Sequence, residues 1–260
     1  MSTNDTTNAT TGTTRIAVAG ATGRLGRHVV DVLAARGYDV VPISRTHGVD
    51  VITGDGLDVA LAGVDVIVDV ATGPSPDQAE ATDFFLASTR NLQQAGQRAG
   101  VRQMLVVSIV GTDRYAGGYG AAKVAHEQAA LAGPIPTRIL RATQFHEFVE
   151  QLLAWGTQGD VAYVQTMRTQ PIAARAVAEA LAGMVGDTGG PAITDVAGPR
   201  EESMGDLATR FADHRGLGVK VEEVTDPDDP DARLAAGGGL LPGPDARRVG
   251  PTFEQWLAAG

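Results

Sequence analysis

The chain has 260 residues, 43% of them apolar, a formal net charge of −10 and no cysteine. That length suits one hydrophobic core with a small appended lobe. The missing thiols exclude disulfides, thiolate metal sites and cysteine nucleophiles, and suit a reducing cytoplasm. The acidic balance argues against a nucleic-acid surface, no run of about 18 apolar residues offers a membrane span, and the five scattered histidines lack metal-ligand spacing.

Residues 1–14, rich in Thr and Asn and without Lys or Arg, read as a disordered tail rather than a secretory signal. Residues 15–260 read as one domain in which short apolar runs alternate with amphipathic stretches, the pattern of βαβ units around a parallel sheet. Arg15 to Gly20 is a first strand, Arg24 to Arg36 a helix closed by Gly37, and Tyr38 to Ser44 a second strand. Val49 to Ile52 reads as a short third strand, and Val64 to Val70 as a strand buried on both faces. A long helix spans about Asp77 to Ala99, followed by a fifth strand from Met104 to Val107. Tyr119 to Leu131 is helical, Thr137 to Arg141 is a sixth strand, and Gln144 to Trp155 is another helix. From about Gly156 the rhythm loosens into lobe elements: helices at Ile172 to Val185 and Ser203 to His214, and a strand at Ala192 to Val196. Thr225 to Arg248 reads as an ordered loop with a solvated charge run at Asp226 to Asp231, and Thr252 to Ala258 as a final helix returning Phe253 and Trp256 to the body.

The strongest signal is Ile16-Ala17-Val18-Ala19-Gly20-Ala21-Thr22-Gly23-Arg24-Leu25-Gly26, a glycine triplet between a strand and a helix start. The first glycine permits a tight turn, the second lets backbone approach a pyrophosphate, and the third lets helix and strand pack closely. The helix N-terminus offers free N–H groups and partial positive charge to the phosphates. Gly20, Thr22, Gly23, Arg24, Leu25 and Gly26 are therefore the candidate phosphate contacts. The second strand ends Ile43-Ser44-Arg45, with no acid until Asp50. A carboxylate there would bond ribose hydroxyls of NAD and repel a 2′-phosphate; Ser44 and Arg45, with Arg24 at the helix start, favour NADP(H).

Ser108 closes the fifth strand, and Tyr119 and Lys123 follow four residues apart, on one helix face at the carboxyl edge of the sheet. Hydride arriving at a carbonyl carbon leaves an alkoxide that needs a proton, and a neighbouring ammonium is expected to lower the tyrosine toward the working range. A serine hydroxyl then holds the substrate oxygen, with Thr112 as the alternative to Ser108.

Together, Gly20-x-x-Gly23-x-x-Gly26, Asp55, Ser108 and Tyr119-x-x-x-Lys123 resemble the atypical and extended short-chain dehydrogenases/reductases. More narrowly, with Ile139 to Phe148 and the ending Leu240 to Ala258, they resemble NmrA-like NAD(P)-binding members of actinobacterial type. The resemblance implies a Rossmann-like doubly wound parallel sheet of order 3-2-1-4-5-6-7, with a small substrate lobe within residues 156–260. It puts Asp55 and Gly56 at the adenine, Ala71, Thr72 and Gly73 along the cofactor, Lys123 on the nicotinamide ribose, and Ala142 and Thr143 beside the nicotinamide. Gln144, Phe145 and Phe148 would shape the substrate pocket, with His146 near them.

The function expected is an NADPH-dependent reductase acting on a carbonyl or quinone of a small, aromatic or polyketide-like molecule in the cytoplasm. Its expected partner is that small molecule, with neither nucleic acid nor membrane, and a homodimer is one assembly open to it. A non-catalytic NADP(H) sensor is the runner-up. A nucleotide-sugar epimerase or dehydratase ranks third, because only about 100 residues follow the sixth strand and no basic cluster awaits a second pyrophosphate.

Overall fold

The computed structural model describes residues 13–260, so all but the last two residues of the expected tail lie outside the described residues. Strand β1 (Arg15–Ala19) leads into helix α1 (Arg24–Ala35) and strand β2 (Asp39–Ile43). A single turn, α2 (Leu57–Ala60), precedes β3 (Val66–Asp69), α3 (Gln78–Ala99), β4 (Gln103–Ile109), α4 (Gly118–Leu131) and β5 (Thr137–Ala142). Then come α5 (Phe148–Gly156), β6 (Thr157–Gln158), β7 (Val161–Gln165), β8 (Arg168–Thr169), α6 (Ala174–Ala182) and β9 (Ile193–Ala197). The chain closes with β10 (Glu202–Ser203), α7 (Met204–Arg215), β11 (Lys220–Val224), α8 (Pro230–Ala236), β12 (Arg247–Arg248) and α9 (Phe253–Ala259).

Seven parallel strands form the central sheet in the order β2-β1-β3-β4-β5-β9-β12. Alternation within β1 shows why both faces must be covered. Ile16 and Val18 pack with Leu25, Val29, Val32 and Leu33 of α1 and with α6, at the i, i+4, i+7, i+8 spacing that gives a helix one apolar stripe. Ala17 and Ala19 face the other way, into the layer with Leu92 and Ala95 of α3 and Ala130 of α4. Helix α3 starts where the Asp77 carboxylate accepts from the amides of Ala79 and Glu80, at 2.9 and 3.0 Å, a cap worth about 1 kcal/mol.

The sheet order reverses beside β1, so the carboxyl ends of β1 and β3 flank the crevice where open α/β sheets bind ligands. The expected order holds for six strands, but both edges differ. Val49 to Ile52 is a turn, because the amides of Val49, Asp50 and Gly54 are satisfied within the loop by the carbonyls of Ser44, Asp55 and Asp50, leaving no ladder to extend. The seventh strand is β12 at the opposite edge, inside the stretch expected to be loop.

That stretch also holds α8, with Pro230 in its first turn and Asp229 accepting from the Asp231 amide. The Asp226 to Asp231 charges are therefore not only a solvated run. The Asp231 carboxylate accepts from the amides of Ala116 and Gly117, at 2.7 and 3.0 Å, and ties the lobe to the loop before α4. The lobe's small sheet (β6-β7-β11) packs with α5, α7 and α9 around Leu153, Val164, Leu207, Phe211 and Phe253.

Candidate functional site

The glycine loop separates what the fold demands from what it leaves free. Gly20 has φ +80°, and a Cβ there would stand 2.7 Å from the Ala71 Cα. At Gly26 a Cβ would stand 2.0 Å from the Gly20 carbonyl oxygen. Both glycines are required by packing. Gly23 has ordinary backbone, and the one heavy atom its Cβ would meet within 4 Å is the Gly20 carbonyl oxygen, at 3.2 Å. That contact is tight but far milder than those at Gly20 and Gly26, and a phosphate approaching the backbone adds a second demand for glycine there. Helix α1 has no side-chain cap and no acid in its first turn, so its first amides are open to an anion. These residues fit a dinucleotide pyrophosphate.

At the end of β2, the Ser44 hydroxyl lies 2.8 Å from Thr46 Oγ1 and 2.7 Å from His47 Nδ1. Ser44 and Arg45 thus share a polar knuckle with Thr46 and His47, two residues the sequence reading passed over although they follow directly. Arg24 is placed differently from the expectation. Its guanidinium donates to the Glu147 carbonyl and to Gln151 Oε1, at 3.3 and 3.0 Å, bridging the glycine loop to α5 rather than joining Ser44 and Arg45.

Asp55 is exposed on its loop, and Gly56, with φ +78°, lies so close to Gly48 that a Cβ would stand 2.7 Å from that carbonyl oxygen. Ala71 abuts the glycine loop, its amide donating to Asp69 Oδ1 at 3.0 Å, with exposed Thr72 and half-buried Gly73 following.

Ser108 and Ile109 pair with Arg141 and Ala142, which brings the ends of β4 and β5 level. Thr112 is committed elsewhere: it is fully buried, its hydroxyl donating to the Gly120 carbonyl at 3.0 Å. Ser108 Oγ is buried with no hydrogen-bond partner, so of the two hydroxyls it is the one with bonding capacity left. On α4, Tyr119 packs edge-on against Phe85, with ring centroids 5.8 Å apart. Lys123 is 4% exposed, donates to the Val107 carbonyl at 2.8 Å, lies 2.9 Å from His126 Nδ1 and sits 4.4 Å above the Phe85 ring.

The electrostatics run against the simple expectation. Burial pushes the Tyr119 phenol up to about 12, and burial, opposed by Asp69 and Glu127, brings Lys123 down to about 8. The ammonium is directed at Val107 and His126, so it does not offset the desolvation of the phenol.

Thr143 is buried, its hydroxyl donating to the Gln170 carbonyl at 2.6 Å. The segment expected to begin a helix at Gln144 forms a bridge at Phe145 and a turn at His146 and Glu147, and the helix starts only at Phe148. Phe145 bridges Ile172, the Ile172 amide donates to the Gln144 carbonyl, and Gln144 Oε1 accepts from Thr169 at 2.5 Å. Phe145 packs on the core beside α1 and α6, and Phe148 on the lobe core, where it meets Trp155 edge-on. His146 lines no pocket. It is fully buried against Phe253 and Trp256, and burial brings it down to about 4. No group of three His, Asp or Glu side chains among the described residues is placed to hold a metal.

A glycine turn under an uncapped helix, with a Ser, Tyr and Lys at the same sheet edge, defines an NAD(P)-dependent enzyme of the extended short-chain dehydrogenase/reductase type. The model of the NAD dependent epimerase/dehydratase family matches residues 16–186, and the chain belongs to that family. Comparison with curated proteins finds no match. Among solved structures, it is similar to a dTDP-4-dehydrorhamnose reductase from Bacillus anthracis in complex with NADP, with 18% identity, TM-score 0.72, and 95% of this chain and 98% of that one covered. It is also similar to a UDP-N-acetylglucosamine 4-epimerase from Bacillus cereus, with 16% identity, TM-score 0.70 and 95% of each chain covered. A third is a short-chain dehydrogenase/reductase superfamily protein from Agrobacterium tumefaciens with bound NAD, with 18% identity, TM-score 0.65, and 94% of this chain and 95% of that one covered. At such identities the likeness shows the fold. Coverage this complete also means that chain length does not set this protein apart from nucleotide-sugar enzymes, contrary to the argument from lobe size.

Proposed function

We propose that the protein is an NADPH-dependent reductase that transfers hydride to a carbonyl or quinone of a small molecule. The observation that carries this reading is the placement of Ser108, Tyr119 and Lys123 at the carboxyl edge of the sheet that also carries the glycine loop. Bound at Gly20 to Gly26, with Ser44 and Arg45 on its 2′-phosphate, the cofactor supplies the hydride. The Ser108 hydroxyl, buried and without a partner, donates to the substrate oxygen. Tyr119 delivers the proton. A phenol held up at about 12 stays protonated at neutral pH, and an alkoxide is a strong enough base to take that proton, so the pair is set for reduction. Lys123, mostly charged at pH 7 with its midpoint near 8, has one N–H left beyond those directed at Val107 and His126, which would hold the nicotinamide ribose. The retained Tyr119 and Lys123 weigh against the sensor reading suggested by the NmrA-like resemblance.

The family match makes a keto-sugar carried on a nucleoside diphosphate the second substrate class to test. Against it, Arg168 and Arg210 of the lobe already pair with Glu201 and with Glu202 and Glu254, which leaves them poorly placed to hold a second pyrophosphate. The test is NADPH and NADH oxidation by the purified protein with quinones, aromatic ketones and a UDP-4-keto-hexose, together with incubation of a UDP-hexose with the oxidised cofactor. Net NADPH consumption with the quinones or ketones supports the reductase reading. Sugar interconversion without net cofactor consumption identifies an epimerase, and tight NADPH binding with no turnover on any acceptor supports the sensor.

A further inference from the structure

Beneath the Tyr119 and Lys123 pair lies a buried polar row that the hydride chemistry leaves unexplained. His126, one helical turn beyond Lys123, is 1% exposed and stacked flat on Phe85, with ring centroids 4.4 Å apart and planes within 8°. Its Nδ1 lies 2.9 Å from Lys123 Nζ, and its Nε2 faces Asp69 Oδ2 at 3.5 Å. Asp69, at the end of β3, is also 1% exposed, and its other oxygen accepts from the Ala71 amide beside the glycine loop. His126 Nε2 and Asp69 Oδ2 have no other partner. A gap of 3.5 Å is too long for a hydrogen bond and too short for an intervening water, and closing it by about half an ångström makes the bond. Two buried orphan polar atoms facing each other favour that closure, since each left unpaired is destabilising.

Resting on the reductase reading, we propose that His126, anchored by Asp69, is a positioning residue that orients Lys123 and keeps it charged during turnover. The imidazole supports this in one tautomer only. Burial first, and then the Lys123 charge, lower His126 below its usual range, so the ring is neutral at pH 7. Nδ1 accepts from Lys123, and Nε2 carries the proton toward Asp69. Three groups on Lys123 then fix its direction: the Val107 carbonyl, His126 and the Phe85 face. The charged groups facing the row are Asp69 from β3 and Glu127 from α4. Glu127 is itself held in a two-bond pair with Arg141 of β5, at 2.9 and 2.7 Å, which leaves Asp69 as the carboxylate without a cation of its own. Asp69 also joins this row to the cofactor side of the site, because the Ala71 amide it accepts from sits against Gly20.

Lys123 and Lys220 are the only lysines in the sequence, so labelled lysine gives two readily assigned side-chain signals. We expect the Lys123 signal to titrate near 8 in the wild type and to fall by about one unit in Asp69→Asn, as loss of a nearby opposite charge does. In His126→Leu the midpoint also falls, and in His126→Asn, whose Oδ1 takes the place of Nδ1, it stays closer to the wild type. Nitrogen-15 spectra of histidine-labelled protein should show Nε2 protonated at pH 7. In turnover, Asp69→Asn and His126→Leu lower kcat about tenfold, leave KM for NADPH unchanged, and move the alkaline fall of the rate with the Lys123 midpoint. If His126→Leu does not fold, His126→Asn and Asp69→Asn carry the test. A Lys123 midpoint and rate profile unmoved in these variants, or an Nδ1-protonated ring, overturn the proposal. Should Lys123→Met itself turn over normally, the reductase chemistry assigned to Lys123 fails, while the lysine titration still decides whether His126 and Asp69 hold it.

Discussion

A lysine buried to 4% exposure must show its burial in the pH dependence of stability. Lys123 stands at about 8 in the folded chain against the ordinary lysine value of 10.5. Below pH 8 it is protonated in both states, and folding bears the full penalty of burying the charge, about 3 kcal/mol for a shift of this size. Between pH 8 and 10.5 the unfolded chain holds more protons than the folded one, so that penalty is relieved as pH rises. The perturbation is Lys123→Met, which keeps the length of the side chain and removes the charge. The assay is urea unfolding of both proteins from pH 7 to pH 10. The stability of the wild type relative to the variant should rise by about 2 to 3 kcal/mol over that range, while other titrating groups cancel in the difference. A difference flat to within about 0.5 kcal/mol, or one that falls, refutes the account of a depressed, buried Lys123. At neutral pH the variant should be the more stable protein and the inactive one, as expected where a site is maintained against stability.

Four further outcomes follow from particular contacts. Gly26→Ala, whose Cβ would stand 2.0 Å from the Gly20 carbonyl oxygen, should lower Tm by several degrees and abolish cofactor binding. Gly23→Ala should fold with a smaller loss of Tm than Gly26→Ala yet bind NADPH at least about tenfold more weakly, as fluorescence titration would show. Arg45→Ala should raise KM for NADPH about tenfold and leave NADH unaffected, since only the former has a 2′-phosphate to hold; equal effects on both would make Arg45 a surface residue. Glu127→Ala removes two hydrogen bonds from the largely buried Arg141 guanidinium and leaves it only its pair with the exposed Asp113, and should destabilise the fold by about 2 kcal/mol in chemical denaturation.

What the sequence revealed was what local chemistry encodes. The glycine spacing after β1 identifies the phosphate turn because each glycine answers to a neighbour a few residues away, and Tyr119 and Lys123 are legible because four residues make one helical turn. Val49 to Ile52 misled because an apolar run says nothing about where its amides bond, and here they close a turn. Helix α8 had its signal in Asp229-Pro230, a cap followed by proline, but the surrounding charges suggested loop. Thr46 and His47 lay in plain view beside Ser44 and Arg45. The His126 and Asp69 row joins elements distant in sequence, yet two hints existed: His126 shares the face of Lys123 at i+3, and Asp69 is an acid inside an otherwise apolar buried strand, which implies a partner. The Tyr119 shift was not legible at all, because the direction in which Lys123 points depends on Val107 and Phe85.

The most direct test of the central claim is single-turnover hydride transfer from NADPH deuterated at C4, comparing the wild type with Tyr119→Phe on the best acceptor. The account predicts deuterium on the reduced carbon in the wild type, and in the variant a rate about 10² to 10⁴ lower with NADPH affinity unchanged. Equal rates in the two proteins would contradict it, as would bound NADPH that the wild type never consumes.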